Sequence, residues 1–314
     1  MKAAAHLHSL LHRALDRRPN ARRRALLATG VLIAVTCGLL LTPPVRHAIR
    51  EPIRLLQPRL ALAPVGPSGW TSKVDIVASP DGNGYWSLQA DGGVYSLGDA
   101  QFHGSNAGQQ NPAYARAMAV PADEHGYWIT DEDGAVYSKG VLYYGGANNM
   151  QHNGTIVGIA TPPSGNGYWQ VGSDGGVYSW PNGFAFYGSK GAGGATAPMV
   201  GMAVTLDGGG YWLVGADGNV YPFGDATNYG NLYGHTLNQP ITGMAVTPSG
   251  HGYWLVGADG GVFTFGDAVY AGGHGSFGGL TDVMAITPTR SGMGYWIIRQ
   301  NGTVYPYGDA GTLQ

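Results

Sequence analysis

Nineteen carboxylates are spread through this chain, and two periodic sets of them raise the question of chemistry. Asp91, Asp133, Asp174, Asp217 and Asp259 each precede a glycine, and a sixth copy of the position holds Asn301. Eight residues further on, Asp99, Asp225, Asp267 and Asp309 each follow a glycine, while copies two and three carry Val141 and Asn182. Carboxylates in such sets could work as a converging acid–base pair on a glycosidic bond, as oxygen ligands of calcium, or as caps of tight turns. A position at which Asn replaces Asp is selected for turn geometry, so no catalysis is expected from the first set. The second set reads as caps or as partners of neighbouring N–H groups; gathered at one face they would make a calcium site. Asp131-Glu132-Asp133-Gly134 is the densest acidic run, yet it lacks the downstream Glu of a calcium loop and reads as a solvated turn. His103, His125, His152, His235, His251 and His274 fall at loop positions without metal-ligand spacing. With no nucleophile motif, P-loop or His/Cys cluster either, neither a catalytic residue nor a resident cofactor is expected.

The elements that carry these acids are set by a repeat. Gly-Tyr-Trp occurs six times, with Trp86, Trp128, Trp169, Trp212, Trp254 and Trp296 spaced by 42, 41, 43, 42 and 42 residues. Each Trp is followed five residues later by the Asp-Gly or Asn-Gly pair, and eight residues later by a Val and then an aromatic. A period in the low forties with dense Gly and aromatics is that of a β-propeller blade. In the fifth copy, residues 241–247 read as a first strand closed by a Pro-Ser-Gly turn. Residues 253–257 and 262–265 flank a tight Asp-Gly hairpin, and Gly266-Asp267-Ala268 leads into a short aromatic fourth strand. The fold class expected is therefore all-β, a six-bladed propeller over residues 68–314, with the six Trp side chains as blade packing. β-Solenoid wall-binding repeats share the hairpin, but their units are about half as long. The last copy lacks the aromatic-Gly ending of its siblings; either its blade is short on the outer edge or residues near Trp70 and Val74 complete it.

The Gly-Tyr-Trp, Asp-Gly-Gly-Val-Phe and Phe-Gly-Asp-Ala unit resembles a repeat common in secreted and surface proteins of actinobacteria, over about residues 70 to 314. That resemblance implies an accessory or interaction module, standing alone or beside unrelated catalytic domains. It supplies no catalytic residue.

Residues 1–67 differ in composition. A stretch of 21 residues between Arg24 and Arg46 carries no charge, and residues 25–42 of it read as a membrane-spanning helix. Seven basic residues and one acid precede it, against four Arg and one Glu in the flank after it. The positive-inside bias puts residues 1–24 in the cytoplasm and the ring outside, on a Pro-containing basic stalk of residues 43–67. A retained anchor is preferred to a cleaved signal, because no small-x-small site follows closely. A lipoprotein reading through Cys37 is disfavoured by the residues before it. Leu7, Leu10, Leu11, Ala14 and Leu15 form an apolar stripe, so the N-terminal segment is either a helix lying on the anionic leaflet or a disordered basic tail.

The net charge of −2 conceals opposite halves, +9 to Val65 and −11 in the ring. An acidic ring is ill matched to nucleic acid, where phosphate neutralisation dominates affinity; a basic protein, a divalent cation or a neutral glycan suits it better. The single cysteine excludes an intrachain disulfide, leaving burial to stabilise the ring.

Departures from the repeat, being dispensable to the scaffold, point to binding. Trp180 and Lys139 replace the usual Leu, Phe or Tyr, and the crossovers between units are rich in Gly, Asn, Gln and His. Tyr144, Trp180, Tyr187, Tyr233 and His274 are the candidate binding rim, with Tyr143 and Tyr229 as further aromatics able to stack on sugars or pack an outer strand. The expected function is a membrane-anchored extracytoplasmic scaffold that binds an envelope protein. The alternatives are a cell-wall glycan binder and, behind it, a glycoside hydrolase or lyase using the central pocket.

Overall fold

The structure is a computed structural model and describes residues 72–108, 113–191, 193–275 and 279–312. The described residues are all-β, with eighteen strands in six three-stranded antiparallel sheets. Sheet one holds β1 (Lys73–Ala78), β2 (Gly84–Gln89) and β3 (Val94–Gly98); sheet two holds β4 (Ala115–Ala119), β5 (Tyr127–Asp131) and β6 (Val136–Lys139). Sheet three holds β7 (Ile156–Ala160), β8 (Tyr168–Gly172) and β9 (Val177–Trp180); sheet four holds β10 (Met199–Val204), β11 (Gly210–Gly215) and β12 (Val220–Gly224). Sheet five holds β13 (Ile241–Val246), β14 (Gly252–Gly257) and β15 (Val262–Gly266); sheet six holds β16 (Val283–Pro288), β17 (Tyr295–Arg299) and β18 (Val304–Tyr307). The helix expected over residues 25–42 lies outside the described residues, as do the basic segment before it and the stalk. Among the described residues no helix is long and apolar enough to cross a membrane.

Each sheet follows from its local sequence. The middle strand carries Gly-Tyr-Trp and pairs on both sides. The hairpin after it turns on a glycine at φ between 74° and 90° in all six copies (Gly92, Gly134, Gly175, Gly218, Gly260, Gly302), a region that L side chains avoid. Asp91, Asp174, Asp217 and Asp259 each accept the N–H two residues on, at 2.8–3.0 Å, and Asn301 does the same. In copy two the carboxylate that accepts these bonds belongs to the buried Asp131, not to Asp133.

The sheets close into a ring. Inner strands β1, β4, β7, β10, β13 and β16 each contact the next, and β16 contacts β1. Lys73 N–H donates to Gln300 O (2.8 Å) and Ala78 N–H to Thr287 Oγ1 (2.9 Å) across that seam. Val74 belongs to β1 and sheet six has three strands of its own, so neither completion by residues near Val74 nor a missing edge is needed.

The core is divided into six clusters, one per junction, each combining the Trp of one sheet with the Tyr of the next. Ring centroids within these pairs are 5.3–6.2 Å apart, including Trp296 with Tyr85 at the seam. All six Trp side chains are fully buried. Both halves of the motif are thus consumed by packing, the Trp inside its own sheet and the Tyr against the sheet before it.

The fourth strand read from the sequence does not form. The segment after the third strand of each sheet is bonded to side chains instead. Every motif Trp donates its Nε1–H to a carbonyl there, on Gln101, Leu142, Ala185, Thr227, Val269 and Gly311, at 2.6–2.9 Å. Two and three residues on, the same segment is held by the Tyr of the next sheet. Tyr127, Tyr168, Tyr211, Tyr253 and Tyr295 donate their hydroxyls to Gly104, Gly145, Gly188, Gly230 and Gly272 carbonyls at 2.5–2.6 Å. Each accepts a backbone N–H from that segment in return. Groups that would have made a ladder are engaged by the motif, and no strand forms there.

Tyr253→Phe isolates this clamp. It leaves the Gly230 carbonyl and the Tyr229 N–H without their hydroxyl partner and changes little apolar burial. The expected cost is about 1–3 kcal/mol, read as a lower urea midpoint for the full chain; an unchanged midpoint would refute the clamp.

Candidate functional site

Three surfaces of the ring could meet a ligand: its perimeter, its crossover rim and its axis. The perimeter is set by the clamped segment. In sheets one, two, three and five the residue after the Trp-bonded carbonyl is a large aromatic, Phe102, Tyr143, Phe186 and Tyr270, each 57–61 % exposed. Sheets four and six hold Asn228 and Thr312 there and keep the same Trp bond. The scaffold therefore does not need an aromatic at this position. Leu142 and Val269, whose carbonyls are the acceptors in sheets two and five, are exposed as well. Large apolar side chains set recurrently in water are informative in a way that single ones are not.

At one end of the inner strands lie the Gly-Asp aspartates. Each is tied to its own sheet: Asp99 to Ser79, Asp225 to Thr205, Asp267 to Thr247, Asp309 to Thr289. In sheets one and four a second acid shares the hydroxyl, Asp81 at Ser79 and Asp207 at Thr205; Ser249 and Ser291 take that place in sheets five and six. The Asn83 N–H and the Ser79 hydroxyl hold Asp81 well below the usual carboxylate range, while desolvation and then Asp81 itself push Asp99 up. This pairing of acids from two different turns was not visible in the sequence, where eighteen residues separate them. Among the described residues no group of three or more His, Cys, Asp or Glu could hold a metal ion.

The five rim candidates are not gathered in one place. Tyr144 and Tyr187 hold equivalent positions in sheets two and three, packed on the motif Trp and on the next Tyr, with their hydroxyls donated to Gly165 and Gly208 carbonyls. Trp180 donates to Gln170 Oε1 (3.0 Å), and Gln170 is fully buried and further bonded to Thr130, Gly134 and Ala147. Irregular Trp180 thus answers irregular Gln170, which stands where its siblings carry Leu, Ile or Ser. His274 stacks on Tyr305 (4.3 Å between centroids) and hydrogen-bonds the Tyr307 hydroxyl, joining the crossover after sheet five to sheet six.

Tyr233 lies on a real concavity. Two cavities share Leu237, Asn238 and Gln239 in the crossover between sheets four and five. One, of about 420 Å³, is lined by Asp217, Tyr233 and His235; the other, of about 310 Å³, by Asp259, Phe263 and Tyr270. Amides, carboxylates and two exposed tyrosines in this arrangement can donate to, accept from and stack on a polar ligand.

The third surface is a cavity of about 490 Å³ on the ring axis, walled by the inner strands of all six sheets. Among the described residues its lining is mainly Val, Ile, Ala, Gly and Met, with two charged residues, Asp75 and Arg116. Arg116 donates to Glu132 at 2.7 Å. Asp75 stands at a β-bulge that recurs in all six inner strands; the matching residues are Ala117, Gly158, Gly201, Gly243 and Ala285. Burial pushes its carboxyl up to about 7, against the opposing pull of two N–H donors, Met118 and Ile76. Among its described lining residues the cavity has one carboxylate, where glycoside hydrolysis employs a pair. Asp75 lies eleven residues before its Trp, where the other five copies hold Ala or Gly, so the repeat register does mark it as an exception; a reading that compares the copies only from Gly-Tyr-Trp onward misses it.

Comparison with known proteins finds no matching family and no matching curated protein.

Proposed function

We propose that the chain is a membrane-anchored, six-bladed β-propeller, held outside the cytoplasmic face by its N-terminal span, that binds an envelope protein through its perimeter. Recurrent exposure of Phe102, Tyr143 and Phe186 on consecutive sheets carries this reading. An aromatic anchor in water favours a partner that buries it, since aromatic residues dominate interface energetics. The charge of −11 on the ring favours a partner with a basic surface and disfavours nucleic acid. The apolar stretch at residues 25–42 and the basic bias before it support the anchor and the orientation.

The test is crosslinking in native membranes with the tagged full chain, wild type beside Phe102→Ala/Tyr143→Ala/Phe186→Ala. One dominant envelope protein should accompany the wild type and fall at least about tenfold with the triple variant, with the melting temperature unchanged. Equal recovery from the variant would overturn the perimeter reading.

A second reading, a cell-wall glycan binder, is favoured by the paired cavities around Asn238. It predicts that the full chain is retained on purified wall polymer, that Tyr233→Ala releases it, and that the triple perimeter variant does not.

A further inference from the structure

Independently of what the perimeter binds, the axial cavity has the attributes of a small-molecule site. Its volume of about 490 Å³ falls within the roughly 300–1,000 Å³ of such sites. Asp75 is half-buried and lines this cavity among the inner strands of all six sheets. Its Oδ1 accepts the Ile76 N–H (2.8 Å) and its Oδ2 the Met118 N–H (2.9 Å). Each oxygen keeps a lone pair free for a further donor.

Ring construction does not demand this carboxylate. At the other five inner strands the matching bulge position is Ala or Gly, and the strands meet their neighbours without an acid. Nor is the charge compensated from within the described lining, where the one basic residue, Arg116, is paired with Glu132. A lone carboxylate in an apolar enclosure costs stability unless it meets a donor or a cation. Across the ring, three sheets away by either route, Gly201 leaves space: a Cβ there would meet no atom within 4 Å. The enclosure therefore has an apolar body, one anionic anchor and an open wall facing it.

We propose that the axial cavity binds a cationic amphiphile, an amine carried on a compact apolar body, with Asp75 as its counter-ion. The ammonium donates to the free lone pairs of the carboxylate. The apolar body lies against Val, Ile and Met side chains of the inner strands and fills the space in front of Gly201. Anions are rejected by Asp75, and neutral molecules of the same shape gain the apolar contacts alone.

Isothermal titration of the purified full chain at pH 8 tests this, with phenethylamine as the probe and 2-phenylethanol as its neutral match. The amine should bind at least about tenfold more tightly than the alcohol, the ratio expected of one charge-assisted bond of about 1.4 kcal/mol. Asp75→Asn should bring the two ligands to within about twofold while alcohol binding persists. Gly201→Leu, which fills the cavity from the far wall, should weaken both ligands together. Equal affinities in the wild type, amine preference surviving in Asp75→Asn, or binding unaffected by Gly201→Leu would each overturn the proposal.

Discussion

Trp212→Ala lowers the stability of the ring by about 3–5 kcal/mol, the range for a large aromatic removed from a close-packed interior. Trp212 is 1 % exposed and sits in the cluster that joins sheet four to sheet five, beside Val214, Ile241, Tyr253 and Leu255. Its ring lies 6.0 Å from Tyr253 and 6.5 Å from Tyr229, so truncation opens a void against two aromatics as well as the aliphatic wall. The void is not the whole loss, because Nε1–H also donates to Thr227 O at 2.7 Å. Releasing that carbonyl frees the clamped segment on which Tyr229 and Gly230 engage Tyr253. Urea unfolding of the full chain is the measurement, and every binding activity should fall together as the ring loosens. A normal midpoint combined with loss of a single activity would mean that the Trp is a contact residue and not packing.

The second large effect is a dependence on pH. Asp75 has an ordinary carboxyl pKa of 3.8 when unfolded and about 7 in the ring, because burial disfavours its charged form. Between these values the folded protein holds a proton that the unfolded chain has released. Stability therefore falls as pH rises from about 4 to 7, the reverse of the behaviour of an acid held by a salt bridge. The interval is worth about 4 kcal/mol at roughly 1.4 kcal/mol per pH unit. Asp75→Asn cannot titrate, so its stability relative to wild type should improve by about that amount between pH 4 and pH 8. Chemical denaturation at the two pH values reads the difference directly and cancels any constant effect of the amide on the Met118 N–H. A pH-independent difference would show that the Asp75 carboxyl titrates normally.

How much of this was legible in the sequence depended on whether the chain repeats at the position concerned. Six copies of Gly-Tyr-Trp fix six units, and Asp91, Asp174, Asp217 and Asp259 stand in the hairpins, where their spacing put them. Strand count was misread because alternation and aromatic content describe the segment at Phe102 or Tyr270 equally well as a fourth strand or as a clamped chain. What decides is the indole N–H and the phenol hydroxyl of residues far away in sequence. Tyr144 and Tyr187 were singled out as aromatics at a variable edge, and their Trp and Tyr neighbours only become visible in three dimensions. Trp180 stood out as an exception, but its partner Gln170 differs from Leu or Ile without breaking the motif and attracted no notice. Asp75 is missed for a different reason: a bulge has no sequence signature of its own, and the first strand, which holds the position eleven residues before the Trp, varies in residue type from copy to copy.

The acceptors of the six indole bonds are backbone carbonyls, and the side chains that accompany them are Gln, Leu, Ala, Thr, Val and Gly. A bond to the main chain places no demand on the identity of the residue that offers it, nor on the one after it. Heredity can therefore rewrite the perimeter at any of six addresses while the frame that displays them stays constant. A single codon change at one of these addresses alters the outer surface of one unit and leaves the six indole bonds of the frame in place.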